Sequence, residues 1–126
     1  MDVSAKFKTS VKIMLSYDSD WWEPSDLLFA TLPVGAHPAV VVEVSEKSLK
    51  VACCTSEMYP HLGADNFIPL PEGEGGIDHD SYVGCLELFE LKFESLESDE
   101  KAFYLGAIQD ETFNSITDRM RENQVL

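Results

Sequence analysis

Two runs rich in β-branched residues constrain how this chain can fold. Pro38-Ala39-Val40-Val41-Val42-Glu43-Val44 is followed by Leu49-Lys50-Val51-Ala52-Cys53-Cys54-Thr55. The four polar residues between them, Ser45-Glu46-Lys47-Ser48, suit a hairpin turn. Side chains alternate along a strand, so Val40, Val42 and Val44 are expected on one face and Val41 and Glu43 on the other. One face is then wholly apolar and the second half apolar, the pattern of a central strand in a small barrel or sheet. His37 precedes the stretch and Thr55 closes it. Any catalytic groups are expected at these two ends.

The 126 residues suit one domain over 1–126, large enough to bury roughly 65% of the surface its unfolded chain exposes. An apolar content of 44% argues against disorder despite the charge. No apolar run approaches the ~20 residues needed to span a bilayer, and no signal-peptide pattern opens the sequence. The expectation is a cytoplasmic protein with no membrane association. Three cysteines, Cys53, Cys54 and Cys85, sit in strand-like runs and read as reduced core thiols. Without a Cys-x-x-Cys motif, a structural zinc is not expected, and no cofactor is implied. Asp78-His79-Asp80 is at most a weak cation binder.

The net charge is −14, and the imbalance is concentrated. Lys6, Lys8 and Lys12 make the start basic, whereas the segment from Glu72 to Glu100 has ten carboxylates against Lys92 alone. Such a surface repels phosphate backbones and gains little from counterion release. It reads as a solvated acidic face, or more sharply as a docking surface for a basic partner.

Residues 5–15 alternate, with Phe7, Val11, Ile13 and Leu15 opposite Lys6, Lys8, Ser10 and Lys12, and predict a half-buried strand. A polar loop follows that carries Trp21 and Trp22, read as capping the core. Leu27–Leu32 is a buried strand ended by a loop over Pro33-Val34-Gly35-Ala36. After the hairpin, Asn66–Leu70 is an edge strand because of Pro69, and Pro71–Gly76 is a loop. Ser81–Phe93 is a long strand with a register break near Phe89, and Ala102–Ile108 is the last strand. The tail is a helix that Asp110 can cap, with Phe113, Ile116 and Met120 in one stripe. The fold class is mainly β, with about six or seven strands and one C-terminal helix.

From Ser25 onward the order of motifs resembles the MazF/PemK-like family of toxin endoribonucleases. Ser25-Asp26-Leu27-Leu28-Phe29 matches a Gly-Asp-apolar opening, and His37-Pro38-Ala39-Val40-Val41-Val42 matches Arg-Pro-Ala-apolar-Val-Val. Cys54-Thr55-Ser56 matches a strand ending in Thr-Ser. Ser81-Tyr82-Val83 and Gly106-Ala107-Ile108 match the later strand and the step into the terminal helix. The match covers about 100 residues and leaves 1–24 as an N-terminal extension before a barrel-and-helix body over 25–126.

The resemblance implies an SH3-like (MazF/PemK/CcdB-like) barrel, a homodimer, an antitoxin partner and metal-independent cleavage of single-stranded RNA. It puts His37 and Thr55 in the catalytic site and Ser56 among the substrate-binding residues. His37 stands where the family has arginine. Histidine changes charge within the physiological range and can serve as general acid or base, whereas a guanidinium clamps phosphate through two hydrogen bonds. The competing expectation is a non-catalytic acidic module on the same barrel that binds a basic, nucleic-acid-binding protein.

Overall fold

The computed structural model describes residues 17–126, so the strand expected over 5–15 lies outside the described residues. Seven strands follow in order: β1 (Asp26–Leu32), β2 (Gly35–Val44), β3 (Ser48–Thr55), β4 (Phe67–Leu70), β5 (Ser81–Gly84), β6 (Phe89–Lys92) and β7 (Phe103–Ala107). A short helix α1 (Phe93–Glu97) separates β6 from β7, and α2 (Asp110–Glu122) ends the chain. All the pairings are antiparallel, in the order β4-β5-β3-β2-β1-β7. The fold is the expected mainly β, SH3-like barrel with a C-terminal helix.

The β2–β3 hairpin is the centre of the sheet. Along one flank β3 pairs with β2, and along the other it pairs with both β5 and β6. Ser48–Val51 take β6, and Cys54–Thr55 take β5. The long strand expected over 81–93 is therefore two short ones joined by an arch over residues 85–88, and its end becomes α1. Five residues carry too little helical periodicity to show through the strand-like alternation before them.

Both faces of the hairpin are buried. Ala39, Val41, Leu49 and Val51 pack with Leu28, Trp22 and the α1 residues Phe93 and Leu96. Val40, Val42, Ala52 and Cys54 pack with Leu27, Val83 and the α2 residues Ile116 and Met120. Each fully buried Val or Leu contributes about 1.5–3 kcal/mol, so this layering accounts for most of the drive to fold. Trp22 is buried and meets Tyr104 edge-on, so it caps the core as expected.

Two local expectations are corrected. Val41 pairs with Val51 and Glu43 with Lys50, so Val42 is an extra residue in β2, a bulge. The bulge resets the alternation, and Val44 packs beside the Val41 face instead of sharing a face with Val40. At α2 the N-cap is Gln109, extended at φ −70°, ψ 150°. Asp110 already lies in the first turn with Glu111, where carboxylates favour the helix dipole.

Candidate functional site

The sequence suggested a loop up to Ala36 before the hairpin. Only Pro33 and Val34 form the turn; Gly35, Ala36 and His37 already belong to β2, opposite Leu32, Thr31 and Ala30. Two features explain the misreading. Gly35 has φ +118°, which only glycine adopts cheaply, and Pro38 has a neighbouring strand only on its β1 side. Both residue types look like loop in a sequence, yet both are compatible with this end of a strand.

The β2–β3 ladder stops at Ala39 opposite Cys53. Continuing the same register, His37 falls opposite Thr55 where the two strands part. The two ends of the predicted stretch thus meet at one mouth of the barrel. His37, Cys53 and Thr55 line a single cavity of about 320 Å³ there. Thr55 Oγ1 accepts from the Glu57 N–H at 3.2 Å, which leaves its own O–H available to donate. Ser56 is exposed beside it.

Two further segments wall the cavity. Tyr59 and Leu62 come from the irregular stretch after β3 and Phe67 from the start of β4, and Leu86, Glu87 and Phe89 from the arch and the start of β6. Buried Asn66 ties these segments together. Its Nδ2 donates to the Leu62 carbonyl at 2.7 Å, and its own carbonyl accepts from the Cys85 N–H at 2.9 Å. Asn66 Oδ1 accepts from Arg119 Nε at 2.8 Å and Asn123 Nδ2 at 2.9 Å, and Asn123 also donates to the Cys85 carbonyl. α2 therefore holds both walls in place.

Glu87 is the residue that sequence reasoning missed as part of the site. It lies within the acidic segment and was read as surface charge. The nearby break in alternation was the available signal, since it marks the arch on which Glu87, though exposed, lines the cavity. Its carboxylate is felt inside the cavity: burial first, and Glu87 second, push the Cys53 thiol up to about 11. Cys53 is thus protonated at neutral pH and no nucleophile.

Among the described residues, no lysine or arginine lines the cavity. Arg119 is engaged by Asn66 and by Glu122 at 2.6 Å, and Arg121 pairs with Asp118 at 3.2 Å. The exposed carboxylates Glu72, Asp78, Asp80, Glu87, Glu90, Glu94, Glu97 and Glu100 spread the negative charge over the surface. Asp78 contacts His79 at 2.6 Å, while Asp80 instead accepts from the Glu72 N–H. Cys54 and Cys85 are buried free thiols, and burial pushes both up, Cys85 to about 11.

No protein-family model matches the chain, and no curated protein matches it in sequence. Solved structures do match in shape. MazF from Deinococcus radiodurans is 14% identical with a TM-score of 0.65, over 83% of this chain and 97% of that one. A MazE–MazF complex from the same organism matches at 16% identity and TM-score 0.59, over 80% and 92%. An endoribonuclease in complex with its cognate antitoxin, from a Mycobacterial species, matches at 14% and 0.62, over 82% and 94%. This chain has the MazF-like toxin fold.

Proposed function

We propose, from a barrel of the MazF kind with His37 and Thr55 at one mouth, that this chain is a metal-independent endoribonuclease acting on single-stranded RNA. The observation that carries the reading is the convergence of these two residues, from the two ends of the central hairpin, on one cavity. In the reaction the ribose 2′-oxygen attacks the adjacent phosphorus and the bond to the 5′-oxygen breaks. The products are a 2′,3′-cyclic phosphate and a free 5′-hydroxyl. His37 is the proton-transfer group, accepting from the 2′-hydroxyl or, when protonated, donating to the departing 5′-oxygen. As an imidazolium it also supplies the positive charge that the absent arginine would bring. Thr55 donates its hydroxyl to a non-bridging phosphate oxygen, and Ser56 contacts the substrate beside it.

The same reading gives the protein an antitoxin partner, a homodimeric assembly and a place in the cytoplasm. Solved relatives in shape include MazE–MazF complexes and an endoribonuclease with its cognate antitoxin, which supports the first of these. One observation favours a second reading, a non-catalytic module that binds a basic protein: net charge −14 with no lysine or arginine at the cavity among the described residues. Inducible expression separates the two. The ribonuclease arrests growth, and His37→Ala and Thr55→Ala relieve the arrest. Undisturbed growth at high expression counts for the binding module.

A further inference from the structure

We infer that the cavity takes one unstacked nucleobase and that Glu87 selects guanine there. The inference rests on the ribonuclease reading above and names the base that the site prefers.

The shape comes first. The cavity is at the small end of ligand sites, suited to a single planar ring system. Tyr59, Phe67 and Phe89 offer aromatic surface, and Leu62 and Leu86 stand exposed at its rim. Solvent-exposed apolar side chains gathered around a concave site are the usual mark of a ligand that will cover them. Single-stranded RNA is recognised by this means, its splayed bases laid on aromatic side chains.

Charge comes second. A chain this acidic gains little from phosphate contacts, and among the described residues no lysine or arginine lines the cavity. Base stacking is indifferent to that handicap, because the ring carries no charge. Binding through the base is the route by which an acidic surface can still retain RNA.

Selectivity comes third. An ionised carboxylate only accepts hydrogen bonds, through two oxygens. Guanine alone presents two adjacent donors on its Watson–Crick edge, N1–H and the N2 amino group. Adenine and cytosine each set a donor beside an acceptor, and uracil has one donor flanked by acceptors. Glu87 stands on an arch pinned at Cys85 by Asn66 and Asn123, so its carboxylate has a fixed base to reach from.

The probes are 2′-O-methyl trinucleotides UGU, UAU, UCU and UUU, which lack the attacking hydroxyl and so stay intact. They are titrated against the full-length protein by NMR. UGU is expected to bind at least tenfold more tightly than the other three. E87Q is expected to remove that preference by weakening UGU about tenfold and leaving UAU within twofold. Circular dichroism and thermal melting of E87Q confirm that its fold is kept. Equal affinities for the four probes, no binding of any, or a guanine preference that survives E87Q each overturn the inference. Selective UGU binding with unmodified RNA left uncut would sustain guanine recognition while defeating the ribonuclease reading. RNA cleavage with no preference for guanine would do the reverse.

Discussion

Arg119 of the C-terminal helix donates from Nε to Asn66 Oδ1 at 2.8 Å, and so links α2 to the walls of the candidate site. Asn66→Ala leaves the Arg119 and Asn123 donors and the Leu62 carbonyl without this partner. Part-buried polar groups stranded in this way cost about 1–3 kcal/mol in total stability. Urea unfolding measures it. A loss under about 0.5 kcal/mol would show that water replaces the side chain, and that α2 does not brace the cavity.

Ser25 has φ +81°, in the left-handed region that non-glycine residues avoid, and immediately precedes buried Asp26. Its backbone is nonetheless well used, donating to the Val41 carbonyl at 2.8 Å and accepting from Ile108 at 2.9 Å. The MazF-like motif has glycine at the matching place, and this conformation explains why glycine suits it. Ser25→Gly should therefore raise stability, by up to about 1 kcal/mol, as relief of strain outweighs the added freedom of the unfolded chain. A fall in melting temperature would contradict the strain argument.

Alkaline pH should unfold the protein earlier than its acidic composition suggests. Burial holds the Cys53 and Cys85 thiols at about 11, and pushes Cys54 and the Tyr104 phenol up as well. Asp26, which accepts from the Tyr104 hydroxyl at 3.3 Å, adds to the last of these. Groups with raised folded values keep their protons in the native state and lose them on unfolding. Their stabilisation is whole below the ordinary thiol range and declines as pH rises through about 9 to 11. Melting temperatures recorded from pH 7 to 10.5 should fall steeply above 9, and Cys53→Ala should soften the fall. A flat profile would mean that the thiols are accessible to water.

Much of the fold was legible because β-branched runs, turn residues and a three-to-four-residue apolar stripe each have a local cause. The hairpin over Pro38–Thr55, edge strand β4 with Pro69 and helix α2 could all be read this way. What could not be read depends on register, which is a relation between strands. The Val42 bulge changes which face Val44 shares, yet no residue in the run announces it. Gly35 and Pro38 looked like loop and proved to be strand. The arch over 85–88 exists because β3 pairs with two different strands along one flank, so the place of exposed Glu87 beside the cavity could not be read. His37 and Thr55 were nameable from the motif order. Their meeting at one mouth follows from the hairpin register alone.

That meeting is tested most directly by incubating purified full-length protein with a long single-stranded RNA in EDTA and mapping the ends. The wild type should cut the RNA and leave 2′,3′-cyclic phosphate termini. His37→Ala should lower the rate by at least about 100-fold, as expected for loss of a proton-transfer group. Thr55→Ala should be slower by about tenfold or more, and neither variant should melt more than a few degrees below the wild type. RNA left intact by the wild type at every pH from 5 to 9, or cut equally fast by His37→Ala, would contradict the assignment of this site.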